Sequence, residues 1–476
     1  MDMSRQPNNF WSAAGYVVMI AGAIVLFLAI RQYGESLAAK QPIANVAVQA
    51  PAEMHALFHV LLALTVVIVL GRILGWLFAW IGQPPVIGEV FAGIMLGPSL
   101  LGYLAPDVAG YLFPPHIAPQ LSVIAQLGVV LYMFLVGLEL DRELLRSKVH
   151  ATLTISHASI VLPFLLGAGL ALLLFPTLAP AGVSFTNFAL FMGVSMSITA
   201  FPVLARILTD SRLDKTELGV LALTCAAVDD VTAWCLLALI VAIARAEVSQ
   251  ALIVIGLTLA YMGAMFWIVR PLAERMADRY DQGPATRNKT ALVFIAVLLS
   301  ALATEYIGVH AIFGAFLLGA IIPHQSVLAR EFTDKLEDLV TILLLPAFFA
   351  FTGMRTQIGL VSSLQDWAIC GLIILVATLG KFGGTLAAAR FHGISWRHSS
   401  ALGVLMNTRG LMELIVLNIG LDLGIISPRL FAMLVIMALI TTLMTMPILR
   451  LLERKLMDAS ASEEGPSVLS VRQRRA

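Results

Sequence analysis

Charged side chains are scarce in this sequence of 476 residues. Asp, Glu, Lys and Arg together make up 12% of the chain, whereas an ordinary soluble domain has about 25%. Hydrophobic residues account for 59% and the mean hydropathy is +0.91, which excludes one large water-soluble domain. The formal net charge is only +1, so nothing indicates binding to nucleic acid. The composition predicts an all-α polytopic membrane protein.

Sequence signals for redox, metal or nucleotide chemistry are also missing. The three cysteines, Cys225, Cys235 and Cys370, lie inside apolar runs without CxxC spacing, and we interpret them as small buried hydrophobic residues. No group of His, Cys and Asp has the spacing of a metal site, and no GxGxxG or P-loop motif occurs. We therefore expect no cofactor, no enzymatic activity and no transport driven by ATP. Active transport would then depend on an ion gradient.

Long apolar runs make up most of the sequence instead. A helix needs roughly 20 residues to cross the ~30 Å hydrocarbon core of a bilayer. Thirteen runs of crossing length predict a transmembrane domain over 54–455, with spans near 54–80, 84–103, 119–138, 150–177, 186–208, 216–243, 249–273, 288–307, 309–325, 338–358, 364–390, 397–420 and 427–452.

Lysine and arginine cluster in every second loop from the third predicted span onward. The basic residues of these loops are Arg142, Arg146, Lys148, Arg212, Lys215, Arg275, Arg279, Arg287, Lys289, Arg330, Lys335, Arg390, Arg397, Arg450, Arg454 and Lys455. The intervening loops have few or no Lys or Arg, with Arg245, Arg355 and Arg429 as the exceptions. Cytoplasmic loops have such an excess of positive charge. We therefore predict that residue 54 enters the membrane from outside and that the short tail, 456–476, is cytoplasmic. The expected location is the cell inner membrane or plasma membrane.

An additional apolar stretch, Trp11–Ile30, precedes these spans. It fits either a retained signal-anchor helix or a secretory signal that is removed near Ala50. Residues 1–53 are thus this segment followed by an outer linker. The apolar core is long for a signal peptide, and the charged start is weak, with Arg5 against Asp2. Both features favour the retained anchor.

Two adjacent carboxylates, Asp229 and Asp230, lie in the middle of the apolar run Leu218–Ile243. A charge near the bilayer midplane costs at least ~2.5–3.5 kcal/mol, and two like charges side by side cost more. Such a penalty is not expected for packing alone. Successive helix residues point about 100° apart, so the two side chains should have different partners. The pair predicts a buried site where a proton is exchanged for a cation.

Lys381 is a candidate counter-charge for this pair. It is the only charged residue between Asp366 and Arg390 and lies near the middle of its run. A buried charge without a counter-charge is costly in free energy, so we expect Lys381 to pair with one aspartate. The alternative, a lysine that extends to the membrane interface, is disfavoured by its depth.

Two polar interruptions occur in other runs. Pro202 follows Thr199 directly before the aspartate helix, and proline removes a backbone donor, which predicts a broken helix. The second interruption spans 407–410, where Arg409 and Glu413 have the i,i+4 spacing of an ion pair on one helix. We interpret Arg409 and Glu413 as a structural pair, with cation coordination as the alternative. Glu89, His157 and His310 are interpreted as structural.

Six segments together resemble a known family. They are Gln83–Glu89 with Gly97–Ser99, Phe134–Asp141, Thr199–Arg206, Ala227–Asp230, Gly314–Leu317 and Asn407–Glu413. The chain is similar over about 54–455 to bacterial monovalent cation:proton antiporters of the sodium/hydrogen exchanger superfamily. The resemblance implies an inverted-repeat fold of thirteen helices, a homodimer, and two broken helices that cross near the midplane.

The resemblance also implies roles for individual residues. Asp230 matches the carboxylate that binds the monovalent cation, Asp229 the preceding carboxylate, and Lys381 its partner. Proton and cation would exclude each other at Asp230, while Thr199 and carbonyls freed at the breaks would offset dehydration of the cation. The expected function is secondary active exchange of Na⁺ or K⁺ for H⁺ by alternating access.

Three other functions are compatible with buried aspartates in membrane helices. A passive cation channel or a sodium-coupled solute symporter would use the same fold. An intramembrane aspartyl protease needs two aspartates that converge on one water, whereas adjacent residues on one helix diverge. A proton flux that reverses with the cation gradient, without added solute, distinguishes exchange from the others.

Overall fold

A computed structural model describes residues 9–35, 56–139, 149–210, 213, 216–245, 248–281, 287–323 and 325–463. Five of the basic residues used to predict orientation lie outside these ranges: Arg142, Arg146, Lys148, Arg212 and Lys215. Most of the expected outer linker and the tail from residue 464 also lie outside them. Their predicted positions stay predictions.

Every regular element of the described residues is helical. The helices are α1 Asn9–Gly34, α2 Ala56–Trp80, α3 Pro85–Leu96, α4 Leu101–Leu104, α5 Pro106–Leu112, α6 Ala118–Leu138, α7 Val149–Leu178, α8 Phe185–Ser197, α9 Phe201–Asp210, α10 Glu217–Arg245, α11 Val248–Ala264, α12 Arg270–Asp281, α13 Arg287–Ile307, α14 Ala311–Ile321, α15 Val327–Asp338, α16 Leu345–Arg355, α17 Leu364–Phe391, α18 Trp396–Met406, α19 Leu411–Asp422 and α20 Pro428–Glu463. Short π-helical segments, Met265–Val269 and Leu339–Leu344, join α11 to α12 and α15 to α16.

The predicted spans correspond to these helices, and the number thirteen is approximate. Eleven spans in the described part of the chain are long and apolar enough to cross a bilayer, or twelve if the bent pair α18 and α19 counts as one. The run 309–325 forms only α14, whose 11 residues are fewer than the roughly 20 of a straight crossing. Gly308, with φ of 96°, precedes this helix, and Pro323 disfavours helical backbone at Ile322.

The spans are arranged in two bundles. Bundle I comprises α2, α3, α6 and α13–α16, flanked by α11 and α12, and bundle II comprises α7–α10 and α17–α20. Most helix pairs in close contact lie within one bundle, while α10 and α11 contact each other between the two. Side chains also join the bundles, because Arg355 of α16 donates to Asn418 and Asp422 of α19. The packing within each bundle is therefore more extensive than the contact between them.

The N-terminal apolar stretch forms α1, which packs against α7 and α8 of bundle II. The rings of Phe27 and Phe164 are 5.9 Å apart, and the Thr186 hydroxyl donates to the Glu35 carboxylate at 2.8 Å. The Arg31 side chain also donates to Glu35, and these hydrogen bonds lower the pKa of the Glu35 carboxyl. That this segment is a retained anchor, and not a removed signal, stays a prediction.

Two glycines let α17 approach α7 closely. A Cβ atom on Gly380 would lie 2.7 Å from the Cα of Pro163, and one on Gly384 would lie 2.4 Å from the Ala158 carbonyl oxygen. Neither position can hold a larger side chain without moving the backbone. This approach places Lys381, next to Gly380, against the polar face of α7.

Candidate functional site

Two helix breaks meet in bundle II. The first separates α8 from α9 at residues 198–200, and the second separates α18 from α19 at residues 407–410. The backbone N–H of Ala200 donates to the Thr408 carbonyl at 2.9 Å, so the two breaks are hydrogen-bonded to each other. Irregular backbone within a membrane protein needs partners of this kind, because lipid provides none. Both predicted interruptions are breaks, and the fold brings them together.

Asp229 is fully buried beside these breaks. The Lys381 Nζ donates to its Oδ2 at 2.8 Å, and the Ser156 hydroxyl donates to Oδ1 at 2.5 Å. The Ser159 hydroxyl lies 2.8 Å from Oδ2 and also 2.8 Å from the Ser156 carbonyl oxygen of its own helix. The Thr199 hydroxyl lies 2.9 Å from Oδ2. One ammonium and three hydroxyls thus surround this carboxylate, which leaves little of its hydrogen-bonding capacity unused.

Lys381 is also fully buried and has a second anchor. Its Nζ lies 2.5 Å from the carbonyl oxygen of Ser197, the last residue of α8. The final carbonyls of a helix lack intrahelical donors and have a partial negative charge. Lys381 therefore neutralises Asp229 and caps the broken end of α8 with the same ammonium group.

Asp230 has a different environment. Its side chain is 2% exposed, and among the described residues no group donates a hydrogen bond of ordinary geometry to either carboxylate oxygen. The N–H of Phe201, at the start of α9, is directed toward it, and Tyr132 of bundle I lies within electrostatic range. A buried carboxylate without a counter-charge or a well-formed hydrogen bond is costly in free energy. The Asp230 carboxylate therefore has the properties of a group that can bind a proton or a cation.

Thr199 lies in the Asp229 network. Its hydroxyl is 2.9 Å from Asp229 Oδ2 and 3.0 Å from the Met406 carbonyl oxygen. A hydroxyl has a single hydrogen, so it donates to only one of them at a time. In this structure Thr199 links the aspartate helix to the second break rather than lying on Asp230.

Arg409 and Glu413 form a fully buried pair with an N–O distance of 3.1 Å. The guanidinium also donates to the carbonyls of Ser195 and Met196, at 2.7 and 2.6 Å. Both carbonyls lie in the last turn of α8. Arg409, a residue of the second break, therefore caps the end of α8 at the first break. Arg409, which lies in the break, thus has one partner in α19 and two in α8.

Two residues that contact Asp229 were not predicted: Ser156 and Ser159. The signal for the serines is the segment Ser156-His157-Ala158-Ser159 inside an apolar run, where positions i and i+3 share a helix face. This signal is weak, because buried serine and threonine hydroxyls often bond to their own helix. The neighbouring His157 also bonds to its own helix, since its ring Nδ1 lies 2.8 Å from the Leu153 carbonyl oxygen.

The described residues form no multidentate metal site near these groups. Within the described ranges, no three or more His, Cys, Asp or Glu side chains are grouped so that they could hold a metal ion. Glu89 lies apart from the aspartates, in bundle I, beside Gly71 and Arg72. Among the described carboxylates near the breaks, Asp230 has both oxygens without a hydrogen-bond partner, whereas Glu413 has one such oxygen and an ion pair at the other.

Comparison with known proteins identifies the family. The family model described as sodium/hydrogen exchanger, transmembrane, matches residues 60–451. The chain belongs to this family. It is 46% identical over 399 residues to the Na(+)/H(+) antiporter NhaS4 of Synechocystis sp., a match that covers 83% of this chain and 97% of the relative.

Eukaryotic relatives match over a similar part of this chain. Identity is 41% with Cation/H(+) antiporter 17 of Arabidopsis thaliana, over 83% of this chain and 48% of the relative. It is 34% with K(+)/H(+) antiporter 1 of Saccharomyces cerevisiae, over 82% of this chain and 46% of the relative. This chain thus spans about half the length of these plant and yeast relatives.

A solved structure has the same fold. It is that of the sodium proton antiporter MjNhaP1 from Methanocaldococcus jannaschii at pH 8, with a TM-score of 0.63, 13% identity, and coverage of 82% of this chain and 97% of that one. At this identity the likeness concerns the fold alone. The predicted multi-pass, all-α antiporter fold and the predicted family are confirmed.

Proposed function

We propose that this protein exchanges a monovalent cation, Na⁺ or K⁺, for H⁺ across a membrane by alternating access. The observation that supports this most is the contrast between the two adjacent aspartates. Asp229 is neutralised by Lys381 and surrounded by three hydroxyls, whereas Asp230 is buried without a hydrogen bond of ordinary geometry from any described residue. The names of the relatives, which include Na⁺/H⁺, K⁺/H⁺ and cation/H⁺ antiporters, support the same reaction.

Exchange follows from competition at one carboxylate. Asp230 binds either a proton or a cation, because a protonated carboxyl offers a cation no net charge. A unit charge 4 Å from the carboxylate gains about 4 kcal/mol at an effective dielectric constant of 20, which offsets part of the dehydration of the ion. An ionised, buried Asp230 with neither a proton nor a cation bound is the costly state. The change of access from one side of the membrane to the other therefore occurs with one of the two ions bound.

The two bundles provide a structural basis for access from two sides. Bundle II contains both aspartates, Lys381 and both breaks, and its contact with bundle I is sparse. A shift of bundle II against bundle I would expose Asp230 alternately, without breaking the Asp229 network. Homodimerisation through bundle I and a cytoplasmic C-terminus in the cell inner membrane or plasma membrane are parts of this proposal. The family resemblance and the basic loops support them.

The alternative functions lack a supporting observation. In an aspartyl protease both carboxylates would converge on one water, but Asp229 is occupied by Lys381. A passive channel or a solute symporter would use the same charges, yet neither would produce proton movement that reverses with the cation gradient and needs no solute.

The test measures cation-dependent proton movement by the Asp230→Asn and Asp229→Asn variants. Inverted vesicles receive pulses of Na⁺, K⁺ or Li⁺ at several pH values, and a pH-sensitive dye reports the internal pH. Asp230→Asn keeps the shape but removes the titratable charge, so exchange should be abolished. Asp229→Asn should retain some exchange at reduced stability. Asp334→Asn, at an exposed position of α15, is the matched control and should behave like the unmodified protein.

The unmodified protein should also show competition between the two ions. Lowering the pH should raise the apparent KM for the cation, because protons occupy a growing fraction of Asp230, while the maximal rate at saturating cation changes less. Robust exchange by Asp230→Asn over the whole pH range would remove Asp230 from the site. Glu413 would then be the next candidate carboxylate.

A further inference from the structure

Three threonines of α20 are buried, Thr441, Thr442 and Thr445, and two of them, Thr442 and Thr445, contact the second helix break. The Thr442 Oγ1 accepts a hydrogen bond from the Arg409 N–H at 3.0 Å and lies 2.8 Å from the Arg409 carbonyl oxygen. One hydroxyl thus lies within hydrogen-bond distance of both the N–H and the carbonyl of Arg409. The Thr445 hydroxyl donates to the Thr441 carbonyl of its own helix at 3.1 Å and makes a longer contact, 3.4 Å, with the Thr408 hydroxyl of the break.

The break creates the need for such a partner. Between α18 and α19 the backbone groups lose their intrahelical partners, and lipid offers none to replace them. A threonine hydroxyl can accept and donate at once, so Thr442 satisfies the N–H and can satisfy the carbonyl of Arg409. The same hydroxyl can instead donate to Ala438 of its own helix, at 2.8 Å. The single hydroxyl hydrogen of Thr442 therefore has two possible acceptors, the Arg409 carbonyl in the break and the Ala438 carbonyl of its own helix.

The backbone that Thr442 contacts is connected to the aspartates in two steps. The Thr408 carbonyl, next to Arg409, accepts from the Ala200 N–H, and the Arg409 guanidinium caps the last carbonyls of α8. Residues 198–201 in turn border Asp229 and Asp230. A displacement of Arg409 would therefore change the geometry of the first break as well.

We propose that Thr442 is a positioning residue for cation exchange, which holds the second break in register with the first through the backbone of Arg409. The proposal rests on the proposed function, because it assumes that the breaks frame the cation site. Thr442 acts through the backbone and does not contact the ion. Its loss should therefore weaken cation binding without removing the ability to exchange.

The experiment compares Thr442→Val with Thr441→Val. Valine has nearly the shape of threonine but no hydroxyl. Thr441 is the matched control, because it is equally buried and its hydroxyl lies within reach of Met437 and Ala438, both carbonyls of its own helix. Exchange in inverted vesicles is measured over a range of cation concentrations and pH, together with the melting temperature of the purified protein.

Thr442→Val should raise the KM for the cation about three- to tenfold, the range that corresponds to one lost hydrogen bond, with a smaller change in the maximal rate. Thr442→Ser keeps the hydroxyl and should restore the KM, and Thr441→Val should leave it unchanged. If Thr442→Val does not reach the membrane, Thr442→Ala against Thr442→Ser makes the same comparison, because both lack the γ-methyl group.

A KM within twofold of the unmodified value for Thr442→Val, or for Thr442→Ala where that substitutes for it, would overturn the inference. An equal increase in Thr441→Val or in Thr442→Ser would also overturn it, because the effect would then come from packing alone. The Asp230→Asn result separates this inference from the proposed function. If Asp230→Asn abolishes exchange while Thr442→Val is normal, only the role of Thr442 is wrong; if Asp230→Asn exchanges normally, the proposed ion site is wrong.

Discussion

The buried ion pair between Lys381 and Asp229 allows a quantitative prediction. Both side chains are fully buried, and the Nζ–Oδ2 distance is 2.8 Å. Lys381→Met keeps most of the volume but removes the charge. Asp229 then becomes a buried carboxylate with only three hydroxyl donors, and the Ser197 carbonyl loses its donor. Removing one partner of a buried pair costs about 3–5 kcal/mol, and the remaining hydroxyls favour the lower part of this range.

The assay is a double-mutant cycle in purified, detergent-solubilised protein, with thermal unfolding as the measurement. Lys381→Met alone should lower the free energy of unfolding by about 3 kcal/mol or more. Asp229→Asn alone should also be destabilising, because it leaves a buried ammonium unpaired. The double variant should lose less than the sum of the two single variants, because no unpaired charge remains, with a coupling of about 0.5–3 kcal/mol.

Lys335→Met is the control for loss of a lysine charge. Lys335 pairs with Glu331 at 3.0 Å on the surface of α15, where the lysine side chain is 51% exposed. An exposed pair of this kind contributes about 0.2–1 kcal/mol at most. A melting temperature of Lys381→Met equal to that of Lys335→Met, with exchange unchanged, would refute the reasoning. Strict additivity of the two single variants in the cycle would refute it as well.

Two further predictions concern the serines and the orientation. Ser156→Ala and Ser159→Ala each remove one donor to Asp229, so each should destabilise the protein by about 1–3 kcal/mol while exchange persists; complete loss of exchange in a stable variant would place the serine on the ion itself. Single cysteines introduced into a background without Cys225, Cys235 and Cys370 should react with an impermeant reagent in intact cells at 107 but not at 275. Labelling at 275 from outside would reverse the predicted orientation.

Local properties of the sequence were sufficient for much of the fold. The length of an apolar run depends only on adjacent residues, so the spans and the depth of Asp229, Asp230 and Lys381 could be predicted without any tertiary contact. Helix breaks were also predictable, because Pro202 and the polar segment 407–410 disturb the helix in which they occur. The exception, α14, is shorter than its apolar run because turn residues at both ends shorten the helix.

The partners of each polar group depended on the tertiary structure. The sequence places Asp229 and Asp230 about 100° apart but does not determine which of them faces Lys381. A buried hydroxyl has a carbonyl of its own helix about one turn away, and the hydroxyls of Ser159 and Thr442 lie 2.8 Å from such a carbonyl as well as 2.8 Å from their partners on other segments. Only the close approach of α17 to α7, and of α20 to the second break, selects the partners between helices. Hydrophobicity is a property of a segment and can be seen in the sequence, whereas a hydrogen bond between helices requires two segments to meet in a defined geometry.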